Sequence, residues 1–362
     1  MLNSKEKIGH TSVHSDSGFC AWGSGLSARR VEQQQQRSML GTTCSAPGKV
    51  LLAGGYLILD RPHSGLVLAL DARFYSRVEL HEFMDAAAAK TPATSLLIEV
   101  HSPQFDDERR YVYEPTASTP LAPTPRADGA APPPTNRYVE VPLLYGLTLL
   151  SELRGSGYVA EAVKASRAAG WASLGGTVGL RVTLAADNAF YSHAAELRAR
   201  GWTQSAASLR ALPSMLPPRR DEEGEMAKTG LGSSATLVTS LLAALLGTFG
   251  AISLPGEVVT QAVTLGATST TPTSLALLHS LAQLCHCAAQ GKVGSGFDVC
   301  SATYGSQRCA RRRSPRCLAH LQAPPTMAPT MSSDGSPYLP TRPHTPLTSA
   351  PAAAGTFASR RP

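Results

Sequence analysis

Residues 288–298, with the sequence AAQGKVGSGFD, have the composition of a loop that binds a phosphorylated molecule. Three glycines and a serine surround Lys292 and lead into Asp298. Glycine lets the backbone approach a ligand closely and adopt positive φ without steric cost. The lysine and the aspartate supply one charge of each sign within seven residues. Because many glycine-rich segments are only turns, this loop alone indicates a phosphate site without establishing one.

A second glycine-rich segment, KTGLGSSA from Lys228 to Ala235, opens directly into an apolar helical pattern over 235–246. The backbone N–H groups of such a loop, together with the helix N-terminus, form an anion site. Ser233 and Ser234 add hydroxyls that could cap the helix, bind phosphate oxygens or ligate Mg²⁺. The segment also fits a dinucleotide fingerprint, but the charged residues before it and the missing acidic strand end after it argue against that interpretation. An ordinary glycine-serine helix cap stays open as the simpler alternative.

The third segment, SAPGKVLLAGGY, places Lys49 at the start of an apolar strand that runs into Gly54 and Gly55. A lysine there could merely discourage edge-to-edge pairing of strands. In a binding site it would be a fixed positive charge with a rigid strand behind it.

Hydrophobic periodicity predicts the elements that position these segments. Strands are expected at 49–59, 65–80 and 178–185, and helices at 138–153, 235–246 and 275–290. The polar extension 1–40 and the Pro- and Arg-rich tail 308–362 are expected to be disordered, and residues 115–135 to form a Pro/Ala-rich surface insertion.

The charge balance argues against nucleic-acid binding. The net charge is +7, and the tail 308–362 accounts for it with eight arginines against the single acid Asp334. No basic patch with interleaved aromatic residues occurs elsewhere. The apolar run 237–254 is nearly long enough to span a bilayer, but Thr and Ser residues interrupt it, so a buried helix is the better interpretation and no membrane span is expected.

The seven cysteines are scattered and contain no C-x-x-C pair, which favours reduced thiols in the cytosol. The triplet Cys285-His286-Cys287 could suggest a metal site. Because neighbouring residues on a helix point in different directions, we predict core packing instead.

Taken together, the three segments resemble the signatures of the galactokinase, homoserine kinase, mevalonate kinase and phosphomevalonate kinase (GHMP) superfamily. The runs PGKVLLAGGYLILD, KTGLGSSA and AQGKVGSGFDV, followed by Tyr-Gly-Ser at 304–306, are similar to the eukaryotic-type phosphomevalonate kinases over residues 43–307. The segment around Asp187-Asn188 also matches. Mevalonate kinase is less favoured, because Gly-Gly-Tyr at 54–56 replaces the Gly-Glu-His of that enzyme.

The resemblance implies an α+β fold with a GHMP-type N-terminal domain (ribosomal protein S5 domain 2-like) over 43–307. It also implies ATP-dependent, Mg²⁺-dependent phosphorylation of (R)-5-phosphomevalonate in the mevalonate pathway to isoprenoids and sterols, in the cytoplasm or the peroxisome, and leaves the oligomeric state open. The implied residues are, for catalysis, Lys49 and Asp298; for ATP, Lys228, Gly230, Leu231, Gly232, Ser233, Ser234 and Ala235; for the substrate, Lys49, Lys292, Gly294, Ser295 and Gly296; and for Mg²⁺, Ser234.

The chain departs from the family after Ser306. Family members continue into a second domain that carries a third glycine-rich motif, of the type Gly-Ala-Gly-Gly, whereas here Arg311-Arg312-Arg313 and a proline-rich tail follow. We therefore expect the C-terminal domain to be largely missing, through a gene-model error or a natural truncated isoform. We expect poor activity in an ADP-release assay, and a chain that only binds nucleotide or a partner is the alternative.

The chemistry of the acceptor predicts the relative weight of the two catalytic residues. The acceptor is a phosphate monoester whose second pKa is about 6, so it is mostly deprotonated at neutral pH and gains little from a strong base. Neutralising and aligning two polyanions should dominate, with Asp298 orienting Lys49 and the acceptor oxygen. Steady-state kinetics should therefore show a larger loss of kcat in Lys49→Ala than in Asp298→Asn; a far larger loss in Asp298→Asn would refute this order.

Overall fold

A mixed seven-stranded sheet is the framework of the residues that the structure describes. The computed structural model describes residues 41–310 except 56, 58–62, 87, 93, 156, 169–174, 221–225 and 255–273. The segments predicted to be disordered, 1–40 and all but the first residues of 308–362, lie outside these ranges. The sheet and its helices confirm the α+β class.

The strands follow the order β1-β2-β6-β3-β4-β5, and β7 pairs separately with the first residues of β2. Every pairing is antiparallel except that of β3 with β6. The strands are β1 (Gly41–Ala53), β2 (Ser64–Phe83), β3 (Leu96–Ser102), β4 (Asp107–Tyr113), β5 (Leu121–Pro123), β6 (Thr177–Ala186) and β7 (Gln307–Ala310).

Seven α-helices connect or cover these strands in the described part of the chain. They are α1 (Arg137–Arg154), α2 (Tyr158–Ala168), α3 (Ala194–Ala199), α4 (Ala206–Arg210), α5 (Ser233–Thr248), α6 (Ser274–Gln290) and α7 (Phe297–Tyr304).

Helix α5 forms the centre of the core. It packs on β1 and β2 and is covered by α1, α6 and α7, and every residue from 235 to 248 except Leu237 is buried. Two of its buried hydroxyls bond to the sheet: Ser240 Oγ lies 2.8 Å from Ser76 Oγ, and the Thr248 hydroxyl donates to Val78 O at 3.1 Å. Gly146 of α1 permits close helix packing, since a Cβ there would lie 2.7 Å from Leu245 Cδ2. The prediction of a buried helix is confirmed. Among the described residues, no helix combines the length and apolar character needed to cross a membrane.

Most predicted elements are present, with two corrections of bounds. The strand expected at 49–59 spans Gly41–Ala53 instead. It begins eight residues earlier than predicted, and it ends at Ala53 because Gly54 and Gly55 turn the chain with φ values of 109° and 38°. The tail expected to begin at 308 starts as a strand, since Gln307–Ala310 pairs with the beginning of β2. Within the expected insertion 115–135, a short strand pairs with β4.

Two strands, β3 and β4, were not predicted from the sequence because charged residues interrupt their apolar pattern. The structure pairs those charges on the sheet face opposite the helices. Arg110, whose side chain is 2% exposed, bonds Glu99 at 2.9 Å and Asp85 at 2.8 Å, and Arg181 of β6 also bonds Glu99 at 2.9 Å. Burial alone would raise the pKa of Glu99, but hydrogen bonds from His101 and these arginines hold it far below its usual range.

Shortening a buried side chain of α5 should destabilise the whole fold. Leu241 is fully buried, so Leu241→Ala should lower the free energy of unfolding by about 2–5 kcal/mol, through lost burial and the cavity left behind. Urea unfolding followed by circular dichroism measures this. Leu209→Ala is the control: Leu209 is 46% exposed, and its truncation should cost about 0.5 kcal/mol or less. Equal losses in the two variants would contradict the central role of α5.

Candidate functional site

The three glycine-rich segments meet at Lys49. Its backbone N–H donates to Leu231 O at 2.9 Å, and its ammonium donates to Gly230 O at 2.9 Å. The ammonium nitrogen also lies 5.6 Å from the centroid of the Phe297 ring, at the start of α7. One lysine therefore joins β1, the loop before α5 and the loop before α7.

Strand β1 directs this lysine toward the loops. The register of β1 against β2 shifts between Pro47 and Lys49, and such irregularities re-aim side chains next to functional sites. Gly48 allows the close approach, because a Cβ there would lie 3.1 Å from the Phe190 ring and 3.3 Å from Leu231 O.

The Asp187-Asn188 segment at the end of β6 anchors the same loop. Asp187 Oδ2 accepts from the backbone N–H of Arg73 at 2.6 Å, and burial raises the pKa of this carboxyl. Just after it, Phe190 O accepts from the backbone N–H of Thr229 at 3.1 Å, and the Thr229 hydroxyl donates to Ala189 O at 2.6 Å. The Asp187-Asn188 segment thus connects the sheet to the loop that precedes α5.

The N-terminus of α5 presents free backbone donors. Its N-cap, Gly232, has φ +82° and offers no side chain to the first-turn N–H groups, and that turn contains no acidic residue. These groups and the helix dipole favour an anion at this position. Gly232 also accommodates the lysine, since a Cβ there would lie 3.1 Å from Lys49 Cε.

Helix α7 begins in the same way and adds a carboxylate. Its N-cap, Gly296, has φ +76°, and Asp298 lies in the first turn with a side chain that is 25% exposed. Asp298 Oδ2 lies 3.9 Å from His286 Nε2. Two glycine-capped helix starts therefore flank one lysine and one carboxylate.

His286 is the residue that the sequence analysis missed. Cys285 and Cys287 are buried, as predicted, but the imidazole between them makes polar contacts: its Nε2 lies 3.1 Å from Ser234 Oγ. Burial lowers the pKa of His286, and the nearby Asp298 carboxylate opposes that shift. The only sequence signal was a polar residue inside an apolar helix, twelve positions before Asp298.

The remaining predicted residues lie around this centre. Lys228 is exposed and its backbone bridges Tyr191, and Leu231, Ser233 and Ala235 belong to the loop and first turn of α5. Lys292, Gly294 and Ser295 form the exposed turn between α6 and α7, and a Cβ at Gly294 would meet open space.

One expected contact is not formed in the structure. Asp298 was expected to orient Lys49, yet the lysine ammonium is held by the Gly230 carbonyl, and the carboxylate lies near His286 instead. The reason is the short connection of β1 to the loop: the Lys49 backbone is already bonded to Leu231, so its side chain reaches the carbonyl just before it.

The oxygen atoms available at the site are suitable ligands for Mg²⁺. The Ser234 hydroxyl and the Asp298 carboxylate are hard oxygen ligands, and Mg²⁺ is usually held by one or two such groups together with phosphate oxygens and waters. A second group of possible ligands, Glu99, His101 and Glu108, lies on the outer face of the sheet. We assign no metal there, because Glu99 is already neutralised by two arginines.

Sequence comparison relates the chain to one enzyme family. It is 33% identical over 299 residues to "Phosphomevalonate kinase, peroxisomal" of Arabidopsis thaliana, covering 80% of this chain and 54% of that protein. It is 35% identical over 282 residues to the phosphomevalonate kinase of Gibberella zeae, covering 77% and 53%. It is 36% identical over 296 residues to the phosphomevalonate kinase of Aspergillus fumigatus, and the alignment covers 75% of this chain and 51% of that protein. The chain spans about half the length of these curated relatives. No protein-family model matches it.

Solved structures give weaker similarities. A Streptococcus pneumoniae phosphomevalonate kinase in complex with phosphomevalonate and AMPPNP is 16% identical, with 72% of this chain and 46% of that chain covered and a TM-score of 0.32. The Methanococcus jannaschii mevalonate kinase is 13% identical, with 75% and 53% covered and a TM-score of 0.33.

The geometry predicts that Gly232→Ala weakens phosphate binding at the start of α5, in addition to lowering the stability of the fold. The new methyl group would be strained at φ +82° and would press on the Lys49 side chain. Isothermal titration calorimetry with Mg·ATP should show an affinity loss of about tenfold or more, as for a lost charge-assisted contact of 1.5–3 kcal/mol.

Gly250→Ala is the matched control for this prediction. Gly250 also has positive φ, +63°, but a Cβ there would meet nothing within 4 Å. The Gly250→Ala variant should show the same backbone strain as Gly232→Ala, measured as a lower midpoint of thermal unfolding. Its affinity for ATP should be that of the wild type. Equal affinity losses in the two variants would show that Gly232 has no specific role in binding.

Proposed function

We propose that this chain, which is related to the phosphomevalonate kinases over about half of their length, binds ATP with Mg²⁺ and transfers its γ-phosphoryl group to 5-phosphomevalonate. The observation that carries the proposal is the convergence of Lys49, the uncapped start of α5 and Asp298 at one place. The names of the relatives supply the substrate.

The phosphates of ATP would lie at the start of α5. The backbone N–H groups after Gly232 and the Ser233 hydroxyl would bind phosphate oxygens, and Ser234 would be a ligand of Mg²⁺. When bound, Mg²⁺ supplies positive charge to the phosphate oxygens. Lys228 is close enough in sequence to add a further positive charge at the entrance of the loop.

The acceptor would lie against the turn between α6 and α7. Gly294 leaves room for its phosphate, because a Cβ there would meet nothing within 4 Å, and Gly296 would line the same turn. The exposed Lys292 and the Ser295 hydroxyl would bind the phosphate. Lys49 lies between this turn and the α5 loop, since its ammonium contacts both Gly230 O and the Phe297 ring. It is therefore placed to neutralise charge on the phosphoryl group in transit.

The reaction needs charge neutralisation more than proton removal. The acceptor phosphate has a second pKa of about 6 and is mostly a dianion at neutral pH. Bringing it to the γ-phosphate of ATP requires fixed positive charge and aligned groups, which Lys49 and the two helix starts provide. We assign to Asp298 the alignment of the acceptor rather than of Lys49, because the lysine is already held by Gly230 O.

Two alternatives remain distinguishable from this proposal. One alternative is a chain that binds nucleotide without turnover. A related kinase acting on mevalonate would use an alcohol acceptor. We also propose a cytoplasmic location, although the name of the Arabidopsis relative specifies the peroxisome.

A coupled ADP-release assay tests the proposal. With ATP, Mg²⁺ and 5-phosphomevalonate we expect acceptor-dependent ADP release, and Lys49→Met should reduce its rate by about 100-fold or more, as for a lost transition-state donor. Lys90→Met, at an exposed lysine in the short 3-10 helix after β2, is the control and should leave the rate unchanged.

The other outcomes identify the alternatives. ADP release with mevalonate but not with 5-phosphomevalonate would assign a related kinase. Tight Mg·ATP binding in calorimetry without ADP release from either acceptor would assign a nucleotide-binding protein, and no ATP binding would overturn the site itself.

A further inference from the structure

We propose that His286 is a positioning residue: it holds the Ser234 hydroxyl so that the oxygen lone pairs face the Mg²⁺ of bound ATP. The inference rests on the proposed function, because it concerns the same nucleotide site. It assigns a role to the imidazole that neither the sequence pattern nor the names of the relatives indicated.

The ring of His286 lies where three helices meet. It belongs to α6, about one turn from the end that leads into the turn between α6 and α7, and it is 3% exposed. Its Nε2 lies 3.1 Å from Ser234 Oγ in the first turn of α5 and 3.9 Å from Asp298 Oδ2 in the first turn of α7. The His286 side chain therefore contacts α5, where the nucleotide would bind, and approaches α7, which follows the acceptor turn.

The contact is more than core packing. A buried polar group costs free energy unless it is hydrogen-bonded, and an apolar residue could fill this volume without that cost. The imidazole instead has polar neighbours on two helices: Ser234 Oγ of α5 lies 3.1 Å from the ring Nε2, and Gln290 Nε2 of α6 lies 2.7 Å from the ring Nε2 and 3.0 Å from Nδ1.

The orientation follows from the chemistry of a hydroxyl. Serine has one O–H to donate and two lone pairs that accept or coordinate. When the Ser234 hydrogen is donated to Nε2, both lone pairs are left for the open start of α5, where the cation of ATP would lie. Without that acceptor, a serine in a helix can turn and donate to a carbonyl of the preceding turn instead. Such partners of metal ligands typically change metal affinity 10- to 100-fold.

The tautomer is part of the proposal. If Nε2 accepts from Ser234, the ring proton of the neutral imidazole is on Nδ1. The Gln290 amide can accept that proton if its side chain rotates, so that the amide oxygen faces Nδ1 and moves away from Nε2, which the amide atom now approaches to 2.7 Å.

Two polar substitutions separate positioning from packing. His286→Gln places an amide near the position of Nε2 and can still accept from Ser234, whereas His286→Asn reaches only the position of Nδ1. We expect Mg·ATP affinity within about threefold of wild type for Gln and a loss of about tenfold or more for Asn. In EDTA, both variants should bind ATP within about twofold of wild type, because the effect acts through the metal ligand.

His279→Asn is the matched control. His279 lies two turns earlier on the same helix, and its ring packs 5.2 Å from that of Tyr304. The His279→Asn variant carries the same substitution at a position that does not contact Ser234, so it should keep the Mg·ATP affinity of the wild type. The second control is Ser234→Ala: in that background the Asn substitution at 286 should have no further effect, since coupled residues are not additive.

A spectroscopic measurement on the unmodified chain tests the tautomer directly, and a variant serves only to assign the signal. Long-range ¹H–¹⁵N correlation spectra of histidine-labelled protein should show the Nδ1–H form for His286, identified by the signal missing in His286→Gln. The Nε2–H form would overturn the proposal, because Ser234 would then accept from the ring.

The binding results distinguish a failure of the role proposed for His286 from a failure of the proposed nucleotide site. Equal affinities of the Gln and Asn variants, equal losses with Mg²⁺ and with EDTA, or additive effects with Ser234→Ala would each overturn the role of His286 alone. A wild-type chain that binds ATP no better with Mg²⁺ than with EDTA would overturn the nucleotide site and this inference together.

Discussion

Helix α5 is surrounded by the sheet on one side and by three helices on the others, so its first turn can occupy only one position. That burial constrains the rest of the site. No side chain caps the N–H groups of this turn, and the backbone of Lys49 in β1 is bonded to the loop that precedes it. Because the buried face cannot shift without opening the core, the donors are fixed before any ligand arrives, which is what electrostatic stabilisation of a phosphoryl group requires.

The polar groups of the site are arranged by backbone more than by side chains. Gly232 and Gly296 cap α5 and α7 with positive φ and add no side chain that could compete for the first-turn donors. The Gly230 carbonyl, rather than a carboxylate, holds the Lys49 ammonium. A carbonyl carries only a partial negative charge, so the lysine keeps most of its positive charge available for a phosphate. Asp298 is thereby left to the acceptor side and to His286.

The fold was predictable where the apolar pattern was regular and unpredictable where charges interrupted it. The periodicity of α5 and of the two long strands indicated their type correctly. Strands β3 and β4 were missed because Glu99 and Arg110 look like loop residues in a sequence, whereas in the sheet they neutralise each other on the face without helices. The end of β1 was misplaced because the apolar residues continue past Gly54, and only the glycine turn stops the strand.

The sequence by itself determined the α+β class, the three glycine-rich segments and the resemblance that directs attention to Lys49, Ser234 and Asp298. Those features are local: they depend on residue types and short spacings, which a single chain displays directly. Only the tertiary structure decided which groups touch. It paired Lys49 with a carbonyl instead of Asp298, and it brought His286, 52 positions away in the chain, to the Ser234 hydroxyl. Contacts of that kind depend on how helices pack against one another, and no spacing along the chain encodes them.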